Sequence, residues 1–122
     1  MEKIFVNHTN HPSANWSDVQ KKAAETFGKI VDVPFPDVPP NIDTAAVHEL
    51  VLNNLQDILN LSPAAVLCQG EFNYTFAMVG ELKRRGINVM AATSERVVSE
   101  VTESDGNTKK VSVFNFVQFR PY

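Results

Sequence analysis

Ten residues near the start of the chain, Asn7-His8-Thr9-Asn10-His11-Pro12-Ser13-Ala14-Asn15-Trp16, hold two histidines, three asparagines and two hydroxyls. An imidazole moves protons near neutral pH, and amides and hydroxyls orient polar ligands. Of the two histidines, His11 is the candidate acid or base. His8 ends an apolar run and is expected to be held by packing. His11 sits further out, beside Pro12, which stiffens it without burying it. A second polar segment is Gln69-Gly70-Glu71-Phe72-Asn73-Tyr74-Thr75, and a third is Thr93-Ser94-Glu95-Arg96. Gly70 permits a sharp turn and close backbone approach to a ligand. Glu71 repels a bare phosphate but suits a ribose hydroxyl, a base amine or a water. Arg96 suits a phosphate or carboxylate; its ordinary alternative is a surface pair with Glu95 or Glu100. Asn10, Ser13 and Asn15 also have an ordinary alternative, as caps and turn formers.

Several chemistries are set aside by absence. There is no G-x-G-x-x-G, no G-x-x-x-x-G-K-[ST] and no G-x-S-x-G, so a classical dinucleotide fold, a P-loop NTPase and an α/β-hydrolase are not expected. His8 and His11 are three apart, but they flank a turn and have no acidic cluster beside them; no metal and no cofactor is expected. Cys68 falls in an apolar run and reads as an inert thiol. Lys83-Arg84-Arg85 reads as a solvated helix end. The loop Pro34-Phe35-Pro36-Asp37-Val38-Pro39-Pro40 is stiff enough to wall a pocket.

These segments need elements to bring them together. Residues 3–8, 29–35, 64–69 and 88–93 are short apolar runs, the pattern of parallel strands buried on both faces. Helical spacing fills the gaps. Trp16, Val19, Ala23 and Phe27 form one stripe, capped at Asn15 or Ser17 and ended by a left-handed Gly28. Val47, Leu50, Val51, Asn54, Leu55, Ile58 and Leu61 form a second, ended by Ser62-Pro63. Phe72, Phe76 and Val79 form the third, with Gly86 as terminator. Residues 97–103 and 109–119 read as strands joined across Asp105-Gly106. The order β-α-β-α-β-α-β-β-β predicts a three-layer, Rossmann-like α/β domain, with parallel strand order 2-1-3-4 and a C-terminal antiparallel hairpin. In such sheets ligands bind beyond the carboxyl strand ends, where the order reverses. The mouth is therefore predicted at residues 7–13, 69–73 and 93–96, each offering N–H groups at or near a helix start. The Lys83–Arg85 cluster should lie away from it.

At 122 residues the chain reads as one domain, and 43% hydrophobic with 20% charged residues is a globular balance. The net charge of −3 argues against a general duplex nucleic-acid binder. Residues 1–62 hold 4 Lys/Arg against 8 Asp/Glu, and residues 63–122 hold 7 against 6, so an anion is better placed in the second half. One cysteine, no apolar run long enough to span a membrane and no signal peptide make the cytoplasm the expected compartment.

The run Asn10-His11-Pro12-Ser13 after the first strand, followed by Gln20 and by Gly28-Lys29-Ile30-Val31-Asp32-Val33-Pro34-Phe35-Pro36, resembles small stand-alone CRISPR-associated proteins built on a Rossmann-like, CARF-type sensor domain. The resemblance covers most of the chain in element order. It implies binding of a cyclic oligoadenylate second messenger at a two-fold dimer cleft. Some members also cleave the ring, as ring nucleases, with a ribose 2′-hydroxyl as the attacking group. The positions it points to are Asn10, His11, Ser13, Gln69, Gly70, Glu71, Ser94 and Arg96. The departure from the pattern is a nearly absent basic cradle.

Two readings from other classes stand beside it. One is a non-catalytic α/β binding subunit of a larger complex. The other is a small enzyme on a nucleotide-like or acidic metabolite, with His8 or His11 as base. A homodimer is expected from the apolar content on both faces of the hairpin and from Phe114, Phe116 and Phe119.

Overall fold

The computed structural model describes residues 2–122. The elements run β1 (Ile4–Thr9), a 3-10 turn (Ser13–Asn15), α1 (Asp18–Glu25), β2 (Lys29–Asp32), α2 (Thr44–Asn60), β3 (Ala65–Gln69), α3 (Phe72–Arg84), β4 (Val89–Thr102) and β5 (Thr108–Pro121). They build one five-stranded sheet of order β2-β1-β3-β4-β5. β1 pairs in parallel with β2 and β3, β3 pairs in parallel with β4, and β5 closes antiparallel onto β4. The predicted 2-1-3-4 order is therefore present, extended by β5.

Alternate residues of the central strands feed two apolar clusters, as burial on both faces requires. Val6, Val66, Cys68 and Val89 pack with Val47, Val51, Leu55 and Ile58 of α2 and Tyr74, Met78 and Leu82 of α3. Phe5, Ala65, Leu67 and Met90 pack with Trp16 and with Ala24 of α1. The α2 stripe is the predicted one, and its polar member Asn54 is satisfied by donating to the Leu50 carbonyl one turn back at 2.9 Å. Ser17 caps α1 by accepting from the Gln20 N–H, and Asp43 caps α2 through the Ala46 N–H.

Five expectations are corrected. The fourth and fifth predicted strands are one strand, β4, which runs through Thr93-Ser94-Glu95-Arg96 with only a register shift between Thr93 and Ser94. No glycine or proline interrupts residues 87–105, so nothing stops the ladder there; Val117 on β5 absorbs the shift as an unpaired residue. β2 ends at Asp32, short of Pro34, which has no N–H to donate. Gly28 is not left-handed: among the described glycines only Gly86 and Gly106 have positive φ. Gly28 is instead pressed against β1, where a Cβ would lie 2.5 Å from the Lys3 carbonyl. Finally, Phe72 and Phe76 do not face the core but stand 88% and 84% exposed, while Tyr74, Met78, Val79 and Leu82 form the buried side of α3. Val19 of α1 is exposed for the same reason: the buried stripe passes through Ala24 instead.

Each hairpin strand has 14 residues, a length of about 45 Å. β3 reaches only Val89 and Met90 of β4. The rest of the hairpin projects as an arm anchored at its base by Phe119, whose ring lies 5.2 Å from that of Phe5. Lys83-Arg84-Arg85 closes α3 at the opposite end from Glu71; Glu81 takes both arginines, and Lys83 donates to the Tyr122 carbonyl. No helix among the described residues is long and apolar enough to cross a membrane.

Candidate functional site

Strand order reverses between β1 and β3, and an open cleft of about 1060 Å³ lies beyond their carboxyl ends. Asn10 and His11 form one rim, with Trp16 behind them; Gln69 and Gly70 form the floor. Ser94, Phe114 and Phe116 of the arm and Phe72 of α3 complete the walls.

The first rim is held by its backbone. The His11 carbonyl accepts from Asn7 Nδ2 at 3.0 Å and from the Trp16 indole N–H at 3.1 Å. Asn7 Nδ2 also donates to Asp32 Oδ1, and the other Asp32 oxygen accepts from the Ser13 N–H. The Thr9 hydroxyl accepts from the His11 N–H and donates to Asn7 Oδ1. Asn7 and Thr9 are buried, so this network specifies the turn. It uses none of the His11 ring nitrogens, which have no partner among the described residues and stand at the cleft.

His8 is the opposite case. It is fully buried, with Nδ1 2.7 Å from the Val33 carbonyl and Nε2 2.7 Å from the Tyr74 hydroxyl. A carbonyl only accepts, so Nδ1 carries the proton and Nε2 accepts from Tyr74. Burial holds the imidazole below its usual pKa, against the opposing pull of the Val33 carbonyl. With both nitrogens engaged, His8 is a structural strut. Burial likewise pushes the Cys68 thiol up to about 12, as expected of an inert packing residue.

The predicted residues divide. His11, Asn10, Gln69, Gly70 and Ser94 line the cleft; Ser13, Glu71 and Arg96 do not. Glu71 caps α3, its two carboxylate oxygens accepting from the Asn73 and Tyr74 N–H groups at 2.7 and 3.1 Å. The chain's own anion thus occupies that helix start. The 3-10 turn spends its Ser13 N–H on Asp32, and β4 passes the third segment without a helix. The expected N–H cradle is therefore not formed at these positions. Arg96 lies out on the arm and donates to the Ser112 hydroxyl. Gln69 is partly committed, since its amide exchanges hydrogen bonds with the Ala92 backbone and so extends the β3–β4 ladder. Gly70 is glycine for a reason the sequence hid: a Cβ would fall 2.4 Å from the Phe35 ring. Phe35 in turn packs on His8 and Tyr74, which makes the proline loop part of the site's foundation.

Sequence reasoning missed Trp16, Gln20, Phe114 and Phe116 as lining residues; residue type alone reads Phe114 and Phe116 as core or subunit contact. Phe72 lies within the predicted segment 69–73 and lines the cleft, although its helical stripe pointed to the core.

Apart from His11, no titratable side chain is among the lining residues. No group of three His, Cys, Asp or Glu able to hold a metal occurs among the described residues. The arrangement offers aromatic faces for stacking, amides for hydrogen bonding and one imidazole for proton transfer.

Fold and cleft together define an α/β domain with a neutral cleft, lined by aromatic and amide side chains, at the carboxyl ends of its parallel strands. The chain belongs to the uncharacterized protein MJ1673 family, whose profile matches residues 3–120. No curated protein matches it.

Proposed function

We propose that the chain is a three-layer, Rossmann-like sensor domain that binds a cyclic oligoadenylate in this cleft, as the resemblance to stand-alone CARF-type proteins implies. The observation that carries it is the lining: Trp16, Phe72, Phe114 and Phe116 beside Asn10, Gln20, Gln69 and Asn115. Aromatic faces stack on bases for about 1–3 kcal/mol each. Asparagine and glutamine match the donor–acceptor pair on the adenine edge. A ring of two-fold symmetry calls for two copies of the chain.

Ring cleavage, where it occurs, rests on His11. The ribose 2′-oxygen attacks the adjacent phosphorus, and the bond to the 5′-oxygen breaks. His11 takes the 2′-hydroxyl proton and returns one to the leaving 5′-oxygen, leaving a 2′,3′-cyclic phosphate end. Glu71, outside the lining, acts through the start of α3 that it caps, and Ser13 through its own N–H on Asp32.

The test is incubation with cyclic tri-, tetra- and hexa-adenylate, with equilibrium binding and chromatography of the products. Micromolar binding of one ring, weakened roughly 5- to 100-fold by Phe114→Ala, is expected. No binding at micromolar concentration refutes the sensor reading. A ring bound but recovered intact makes the protein a binder and removes the role of His11.

A further inference from the structure

The arm leaves one long edge of β4 without a partner. Ala92 is the last residue on that side to be engaged, by the Gln69 amide. Across the hairpin the Glu103 N–H donates to the Asn107 carbonyl. Backbone direction alternates along a strand, so the N–H and C=O groups of Ser94, Arg96, Val98, Glu100 and Thr102 point outward. Natural edges are blunted by lysine, proline or charge; residues 94–102 contain neither lysine nor proline, and their charges, Glu95, Arg96 and Glu100, are of both signs. The outer edge of β5 differs, with Lys109, Lys110, Arg120 and Pro121 and no acidic residue, so pairing with itself brings only cations together.

The β4 edge is self-complementary in one register. Antiparallel pairing of two copies about Val98 sets Arg96 opposite Glu100 of the second copy, and Glu100 opposite its Arg96. Ser94 then meets Thr102, and every outward backbone group finds a partner. Among the described residues Arg96 has only the Ser112 hydroxyl, at 3.0 and 3.3 Å. Val97, Val98, Val101 and Val113 are 41–52% exposed on an arm that nothing in the chain covers, and a lone two-stranded hairpin is marginal in water. We infer that two copies of this chain join edge to edge through β4, with a two-fold axis at Val98, into a continuous sheet β5-β4-β4-β5. The pairing shares Ser94 with the cleft lining, but it uses the backbone there and requires no ligand.

Light scattering of the full chain is expected to give twice 13.6 kDa. Opposed residues of a hydrogen-bonded antiparallel pair have Cα atoms about 5.5 Å apart, within disulfide reach. Val98→Cys should therefore cross-link to itself on mild oxidation. Ser99→Cys should not, since the register sets it opposite Val97. Arg96→Glu should weaken dimerisation at least about tenfold by placing like charges across the strands, and Arg96→Glu with Glu100→Arg should restore it. A wild-type monomer at about 100 µM overturns the inference. So does cross-linking of Ser99→Cys as readily as Val98→Cys, or a double swap that stays monomeric. A dimer with these properties that binds no cyclic oligoadenylate leaves the inference standing and refutes the sensor reading alone.

Discussion

His8 and His11 stand three residues apart in opposite environments, and they should respond to opposite tests. His8 is buried and neutral, its pKa held below the usual value by burial. An unfolded histidine takes up a proton near pH 6.5, which the folded one resists. Stability from His8 is thus fully present above pH 6.5 and is lost as pH falls below it toward the lowered folded value. A lower urea midpoint at pH 5.5 than at pH 7.5 is expected, with the difference reduced in His8→Gln. His11 carries no structural bond on its ring, so His11→Ala should leave the melting temperature unchanged and cut any ring turnover by at least about tenfold. Asn7 is the residue whose loss reaches the site indirectly. Asn7→Ala strips donors from the His11 carbonyl and Asp32 and should cost about 1–3 kcal/mol in chemical denaturation.

Among the elements, the β3–α3 junction has the least tolerance. Gly70→Ala drives a Cβ into the Phe35 ring and should destabilise by about 1–3 kcal/mol. Adding Phe35→Leu should recover part of that loss, a non-additivity measurable by thermal melts of the single and double variants. The helices, the parallel strand order and the end of the sheet that holds the cleft were legible in the sequence, because apolar runs and helical spacing encode burial directly. What failed were boundaries and faces. Ser94-Glu95-Arg96 looked like a loop because it is polar, yet polarity only marks exposure, and an exposed strand is polar too. Phe72 and Phe76 looked like core because they fall four apart, a spacing that identifies a helix face without saying which way it points. Glu71 looked like a ligand contact; its capping role depends on a backbone geometry that residue type alone leaves open.

At the scale of the molecule, 11 Lys/Arg and 14 Asp/Glu side chains surround a cleft that none of them lines. Ligand affinity should accordingly change less than about threefold between 50 and 500 mM salt, since screening acts on charge pairs. Arg96→Ala should leave it within about twofold, because Arg96 does not line the cleft; titration at both salt concentrations tests each statement. The chain has a single tryptophan, and it is Trp16, 8% exposed, lining the cleft with its indole N–H on the His11 carbonyl. The molecule therefore carries one indole fluorophore, placed in the wall of the cleft. Its emission, unlabelled and unmixed with any second indole, reports occupancy of the cleft and integrity of the His11 turn in the same measurement.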